Sequence, residues 1–523
     1  MQEEIKELLN AFQVPSFYPH AVDKIEFIET HISWVFLTGL YVYKIKKPVD
    51  MGFLDFSTLD KRQYYCEQEV YLNKRLAPKY YLEVLPITGS FTHPVIAGSG
   101  PTIEYVVKMK QFPQQAQLDR LLDAGQLSNQ HMRLLAETIA DFHQTINKAD
   151  ETGSFGSLEH IYQPVENCYQ NILQRTDDSD EISRIITLQA WTKTTLTSFE
   201  KAFLSRKKNG FIRECHGDLH LRNIAIDGDE VIAFDGIEFS DELRWNDVIS
   251  EIAFLVMDLD DRNQPGLANV FLNRYLELTG DYQGIELLPY YLVYRAIVRA
   301  MVSCIRLSQE NVSKEEYSKE KQSFLCYLAL AELYTTQHQP AIIITHGLSG
   351  SGKTFVTQQL MEQTRYIRIR SDVERKRMLG ILETQRTKKS IADGIYNQST
   401  SLDTYKELAR LTNLIINSGY TVVVDAAFLK QAMRKIFFDL SIKLNIPFLI
   451  VDCLAPQEVM KSRILSRQEI DKDASDADLS VLQYQLTQND DFTNEEQPNV
   501  LSVYSSNAND LRRLLLRINR LSD

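Results

Sequence analysis

The sequence is short of the features that mark several protein classes. Its six cysteines, Cys66, Cys168, Cys215, Cys304, Cys326 and Cys453, are scattered and form no C-x-x-C pair. This excludes a close-spaced disulfide framework and reads as free thiols in a reducing compartment. Positive charge is in deficit, with 57 Lys and Arg against 70 Asp and Glu, a formal charge of −13 and a pI near 5.4. A chain so acidic is a poor candidate for coating nucleic acid or anionic membrane, although a local basic pocket remains compatible with it. No uninterrupted apolar run is long enough to span a bilayer. The nearest, "LLPYYLVYRAIVRAMVSCI", carries Arg295 and Arg299 and reads as a buried helix. The opening "MQEEIKELLNAFQVP" has neither the basic start nor the apolar core of a signal peptide, so the expected location is the cytoplasm. Internal repeats and low-complexity blocks are absent.

What is present is enough apolar material for more than one core. At 523 residues, 44% hydrophobic and 24% charged, the chain exceeds what a single core usually supports. "SWVFLTGLYVYKIKKP" reads as a hairpin about Thr38-Gly39, and "LDKRQYYCEQEVYLNKRLAP" as a helix closed by Pro78. Strands follow around "VLPIT" and "IEYVVKMKQF", then a long helical body. At "YTTQHQP", residues 334–340, apolar periodicity gives way to polar residues and a proline. Beyond it "AIIIT", "YIRIR", "YTVVVDA", "PFLIVDC" and "NVLSVYSS" alternate with helical patterns, the order of a parallel α/β sheet. The expected domains are 1–333 and 341–523, joined by a linker at 334–340.

The octet "HGDLHLRN", residues 216–223, offers His216, Asp218 and His220 as zinc ligands on one side of an extended segment. The residues downstream argue for a different ion. "IAIDGDEVIAFDG" reads as a short hairpin with an Asp227-Gly228 turn, and an unbulged pairing about position 229 sets Asn223 opposite Asp235. Two facing oxygen ligands suit Mg²⁺ beside nucleotide phosphates. "HGDLHLRN" with "VIAFDG" resembles the aminoglycoside phosphotransferase branch of the kinase-like fold. The resemblance extends to "LAETIADFH" and to "NDVISEIAFL", where Asp247 would be a structural anchor, and covers about residues 30–330. It implies that Asp218 orients or deprotonates an acceptor hydroxyl, that Asn223 and Asp235 hold Mg²⁺, and that His216 braces the loop. It also implies an upstream lysine on the α/β-phosphates. Lys44 is assigned that role with Lys46, two residues on, as the same-face alternative, and Glu69 is the carboxylate partner. The G-x-G-x-x-G loop of protein kinases is missing near Lys44, which makes a protein substrate a poorer fit.

"GLSGSGKT" satisfies G-x-x-x-x-G-K-[ST] between a strand and a helix. Backbone N–H groups of Gly347, Ser349, Gly350, Ser351 and Gly352 would cradle phosphates, Lys353 would reach the β/γ-phosphates, and Thr354 would ligate Mg²⁺. Asp425, ending "YTVVVD", is placed as the carboxylate near the metal, and Asp372 stands at another strand end. Arg370, Arg375 and Lys376 beside it are candidates to neutralise an anionic substrate. This half resembles the P-loop kinases that include polynucleotide kinases, gluconate kinases and zeta toxins. On that resemblance Asp372 is the base for an acceptor hydroxyl, and Arg463 and Arg467 are lid arginines.

The resulting expectation is a multidomain chain: an N-terminal α+β bilobal protein-kinase-like fold, then a C-terminal α/β P-loop NTPase with a parallel sheet. Its expected activity is ATP- and Mg²⁺-dependent phosphoryl transfer at two nucleotide sites to hydroxyls of small molecules, without membrane attachment. The rival readings are an ATP-sensing regulatory protein and a C-terminal 5′-polynucleotide kinase.

Overall fold

Alternating aromatic and β-branched residues build the first sheet. The computed structural model describes residues 2–52, 54–309, 312–336, 339–381, 398–470 and 478–522. Six antiparallel strands, β1 (Glu26–Glu29), β2 (Ser33–Leu37), β3 (Tyr41–Lys46), β4 (Tyr81–Ser90), β5 (His93–Ile96) and β6 (Thr102–Lys110), lie in the order β1-β2-β3-β6-β4-β5. The β2–β3 hairpin forms as the sequence indicates, with Leu37 opposite Val42 and Gly39 at φ +89° in the loop. Within this sheet β1 and β5 are the strands not foreseen: both are four-residue edge strands, β1 wholly exposed and β5 without a buried residue, so neither carries a buried apolar signal. Helix Leu59–Asn73 sits between β3 and β4 in the chain, capped by Thr58, whose side chain accepts from the Lys61 N–H.

The helical body follows, and within it four short strands frame the octet: β7 (Ile212–Glu214), β8 (Ile224–Asp227), β9 (Glu230–Ala233) and β10 (Trp245–Asp247). β7 pairs with β10 and β8 with β9, both antiparallel. The β8–β9 register corrects the expected facing of Asn223 and Asp235. Asp227 pairs with Glu230 and Ile224 with Ala233, and the Phe234 N–H donates to Asn223 O at 2.9 Å. The loop is the two residues Gly228-Asp229, with Gly228 at φ +63°, so the pairing is centred between positions 228 and 229. Asn223 therefore faces Phe234, and Asp235 lies one residue beyond.

In the C-terminal half, β11 (Ile342–His346), β12 (Ile367–Arg370), β13 (Val422–Asp425), β14 (Phe448–Leu454) and β15 (Val500–Tyr504) form a parallel sheet ordered β12-β13-β11-β14-β15. β11, β13 and β14 are almost wholly buried runs of Ile, Val and Leu, as a sheet covered on both faces requires. One face packs Val356 and Leu360 with Leu514 and Ile518.

The chain divides into two compact units, Met1–Asp258 with Tyr294–Leu328, and Leu259–Val293 with Ala329–Asp523. This differs from the contiguous division at 334–340. Segment Leu259–Val293 belongs with the parallel sheet because its helix Pro265–Thr279 completes the sheet's edge. Asn273 Nδ2 donates to Tyr366 O at 2.9 Å, its Oδ1 accepts from the Arg368 N–H at 2.7 Å, and Asn269 Nδ2 donates to Met361 O at 3.0 Å. An asparagine thus caps the backbone of β12, an edge strand. Of the expected linker, Tyr334 and Thr335 end helix Lys314–Thr335, whereas Gln337 and His338 lie outside the described residues. The stretch Tyr282–Leu307 is long and apolar enough to cross a membrane by length and composition alone, and most of it is buried.

Candidate active sites

Strand alternation decides which β3 side chains reach the first site. Tyr43 and Ile45 join Phe12, Trp34 and Phe36 in one cluster, while Val42 packs with Cys66 and Val70 on the helix side. Lys44 and Lys46, in phase with Val42, therefore point to the face where the helix presents Glu69. Lys44 Nζ lies 2.8 Å from Glu69 Oε1 and Lys46 Nζ 2.6 Å from Oε2. Lys44 also pairs with Asp235, and Lys46 with Glu238. Both lysines share Glu69. They alternate with carboxylates in the order Asp235, Lys44, Glu69, Lys46, Glu238. Burial favours an uncharged Glu69, but Lys44 and Lys46 outweigh it and hold the carboxyl down at about 2. Removing any member leaves a buried charge short of its partner.

Asp235 has φ +62°, a left-handed conformation that costs a non-glycine residue about 1–2 kcal/mol. Two neighbours hold it there. Its N–H donates to Tyr81 Oη at 3.0 Å, and the next N–H, of Gly236, donates to Asn73 Oδ1 at 2.8 Å. Strain maintained this way turns the Asp235 side chain out of the strand, where it is about half exposed (48%).

The octet is organised from beneath by Glu251. Its Oε1 accepts from the His216 N–H at 3.0 Å, and its Oε2 from the Gly217 N–H at 2.7 Å. His143 Nε2 lies 3.3 Å from Oε1. Burial works against the Glu251 charge, yet these donors and the nearby histidines hold its carboxyl down at about 2. His216 is kept below its ordinary range by burial and is neutral. Its Nδ1 accepts from the Asp218 N–H at 3.3 Å, so Nε2 carries the proton and donates to Phe234 O at 3.0 Å. Arg295 donates to Gly217 O (3.3 Å), and Asp258 accepts the Leu221 N–H (2.9 Å). Asp247 anchors as expected, paired with Arg206 at 2.6 and 2.8 Å.

These contacts leave Asp218 with two unlike oxygens. Oδ2 accepts from Asn223 Nδ2 at 2.8 Å and lies 3.4 Å from His220 Nε2. Oδ1 makes no hydrogen bond among the described residues, and the side chain is 35% exposed. Burial raises the carboxyl, but His220, His216 and Arg299 outweigh it and hold it well below the usual carboxylate range. Asp218 is an anion at any physiological pH, with one oxygen fixed and one presented.

The donor set suits a hard divalent cation. Asn223 commits its Nδ2 to Asp218, leaving the amide oxygen, and Asp235 is a half-exposed carboxylate. Around them, Lys44 and Lys46 face the three carboxylates Asp235, Glu69 and Glu238, so the cluster is left with a surplus of negative charge.

In the second unit the phosphate loop follows β11. Gly347, Gly350 and Gly352 have φ of +141°, +82° and +100°. A Cβ on them would come within 2.6 Å of Cys453 O, 2.7 Å of Met460 O and 2.5 Å of Ser505 Oγ respectively. Only glycine meets both constraints. Ser351 Oγ is buried and without a hydrogen bond, a donor pointing at no protein acceptor. Lys353 Nζ donates to Gly347 O and Leu348 O, both at 2.9 Å, folding over its own loop. Thr354 is the second residue of helix Lys353–Met361 and is exposed. Asp425 accepts from Thr357 Oγ1 at 3.1 Å, one turn along that helix from Thr354. Asp425 pairs in register with Arg370 of β12, two residues before Asp372, so both acids stand at the carboxyl edge of adjacent strands. Arg463 Nη1 donates to Gly350 O and Ser505 Oγ, each at 3.1 Å.

Residues 113–288 match the phosphotransferase enzyme family, and residues 342–490 match the AAA domain. The chain joins a phosphotransferase domain to a P-loop domain. An uncharacterized protein of Mycobacterium tuberculosis and one of Mycobacterium bovis are each 28% identical over 457 residues, covering 86% of this chain and 88% of theirs. Among solved structures, a Plasmodium vivax ethanolamine kinase is 12% identical with a TM-score of 0.36, covering 60% of this chain and 83% of its own. A gluconokinase from Sinorhizobium meliloti 1021 is 22% identical with a TM-score of 0.26, covering 36% and 95%.

In the first unit Lys44, Glu69 and Asp235 meet in one ladder, and Asp218 and Asn223 meet in direct contact. Sequence reading missed Glu238, Glu251 and Arg295. In the P-loop domain the basic residues near Asp372 are engaged internally. Arg375 pairs with Asp372 at 2.8 Å, and Glu277 gathers Arg368 (2.6 Å) and Arg370 (3.8 Å). That arrangement stabilises a strand end. The Arg467 side chain lies outside the described residues. Gly350→Ala is expected to weaken ATP binding at the P-loop by about tenfold or more, because the left-handed backbone and the Met460 carbonyl both oppose the methyl group. Fluorescent-nucleotide titration checks this.

Proposed function

We propose that the chain is an ATP- and Mg²⁺-dependent phosphotransferase with two nucleotide sites, each moving a phosphoryl group to a hydroxyl of a small molecule. The observation that carries the reading is the asymmetry of Asp218: Oδ2 held by Asn223 and His220, Oδ1 presented and ionised. A carboxylate so arranged accepts the acceptor's O–H, aligns its oxygen for in-line attack and takes the proton as the new P–O bond forms and the bond to ADP breaks. Lys44, fixed by Glu69, supplies a cation for the departing phosphates. Asn223 and Asp235 would hold Mg²⁺, which when bound neutralises charge on the β- and γ-phosphates.

At the second site the glycine loop, the orphan Ser351 hydroxyl and Lys353 suit nucleotide phosphates, with Thr354 and Asp425 as the oxygen ligands for Mg²⁺. Asp372 would orient its acceptor, and Arg463 would steady the loop it touches. The test is ADP release with candidate acceptors on Asp218→Asn and Asp372→Asn separately. Each variant is expected to lose a different acceptor's turnover. Wild-type rates from both would contradict the proposal.

A further inference from the structure

The helix Leu288–Leu307 carries two arginines four residues apart, hence on one face. Arg295 is fully used. It donates to Gly217 O, Ser250 O (3.1 Å) and Ser250 Oγ (3.1 Å), and its guanidinium lies 4.8 Å over the Phe254 ring. His220, which contacts Asp218, packs edge-on against the same Phe254 at 5.4 Å. Arg299, one turn further along, is near enough to Asp218 for their charges to act on each other, yet its guanidinium makes few contacts. Its Nε lies 3.4 Å from Tyr327 Oη and the group is 5.7 Å from that ring, but Nη1 and Nη2 make no hydrogen bond or ion pair among the described residues. Burial opposes the charge, while Tyr327, Asp258 and Asp218 outweigh it and keep Arg299 cationic.

Arg299 is part-buried, so water can meet its terminal nitrogens; what marks the fork is that no carboxylate among the described residues closes on it. If its task were only to neutralise Asp218 or Asp258, the fork would be expected to close on one of them, as Arg206 closes on Asp247. Asp218 presents Oδ1 and Arg299 is near enough for the two charges to act on each other, so a molecule offering a hydroxyl to the first would be able to offer an anion to the second.

The geometry points to Arg299 as the specificity residue for an acceptor that carries an anionic group, a phosphate or a carboxylate, alongside the hydroxyl it presents to Asp218. This rests on the phosphotransfer reading of the Asp218 site. Bidentate pairing with a guanidinium would orient the acceptor as well as select it, which separates it from neutral polyols and from cationic alcohols.

The experiment compares glycerol, glycerate and glycerol 3-phosphate, and glucose, gluconate and glucose 6-phosphate, as acceptors for the full chain, with Arg299→Gln, Arg299→Lys and Asp218→Asn beside wild type. Crystals soaked in selenate provide a binding readout independent of turnover. The expected results are turnover of an acidic member over its neutral parent, and a rise of about tenfold or more in the acceptor KM of Arg299→Gln, with the KM for ATP unmoved. Partial recovery is expected in Arg299→Lys, and a selenate peak within hydrogen-bonding distance of the Arg299 nitrogens. Phosphate and carboxylate members distinguish the two anions. Preference for the neutral parents, or an acceptor KM unaffected by Arg299→Gln while Asp218→Asn abolishes turnover, overturns the anion site and spares the phosphotransfer reading. Selenate bound at Arg299 with Asp218→Asn indistinguishable from wild type supports the anion site and removes the phosphotransfer reading.

Discussion

Asp218→Asn is expected to reduce acceptor-dependent ADP release from the phosphotransferase domain on the order of 10³-fold, within the range usual for loss of a positioned base. The substitution keeps the shape and keeps an oxygen for Asn223, whose Nδ2 donates at 2.8 Å to Oδ2. What it removes is the charge that His220, His216 and Arg299 sustain against burial. On the proposed reading nucleotide binding rests on the Lys44 ladder and is expected to survive, so the loss falls on kcat and leaves the KM for ATP nearly unaltered. A parallel loss of ATP affinity would mean that Asp218 acts on the nucleotide instead of on the acceptor.

Glu251→Ala is expected to have the largest effect on stability. It would strand the His216 and Gly217 N–H groups and leave His143 without its carboxylate, in a fully buried setting. Breaking buried charged contacts of this kind costs about 3–5 kcal/mol. For a unit of this size that lowers the thermal midpoint on the order of 10 °C, readable by calorimetry. The same residue sets a pH dependence. Its carboxyl is lowered from 4.5 to about 2 in the folded protein. The stabilisation is thus fully present above the unfolded pKa and is lost as pH falls through the folded one. It amounts to about 3 kcal/mol for a shift of that size. Glu251→Gln should flatten this acid limb, whereas an unchanged acid profile would assign it to other carboxylates.

The particular residues show why some of the site was legible in the sequence. Asp218 and Asn223 sit five apart in one loop, and Lys44 and Lys46 alternate on one strand, so local spacing groups them, while the resemblance to aminoglycoside phosphotransferases implies their roles. The glycines of the phosphate loop are legible because backbone geometry admits nothing else there. Glu251 and Glu238 were not legible, because each is a single acid whose meaning comes from distant chain: the octet 35 residues away for Glu251, Lys46 192 residues away for Glu238. The hairpin was placed correctly but its register was one residue out, since hydrophobic alternation does not reveal whether a turn spends two residues or three. The unit boundaries fall inside helices Val248–Asp261, Leu288–Leu307 and Lys314–Thr335, where no polar or proline-rich stretch marks them. Helix Pro265–Thr279 looks like any other helix of the body; its asparagines complete the edge of the parallel sheet only in three dimensions.

The central claim is that one chain operates two separate nucleotide sites, one built around Asp218 and the other around Lys353. Calorimetric titration of the full chain with a non-hydrolysable ATP analogue and Mg²⁺ tests it most directly. The account predicts two equivalents bound by wild type and one by Lys353→Ala. A single equivalent in wild type that disappears in Lys353→Ala would contradict it.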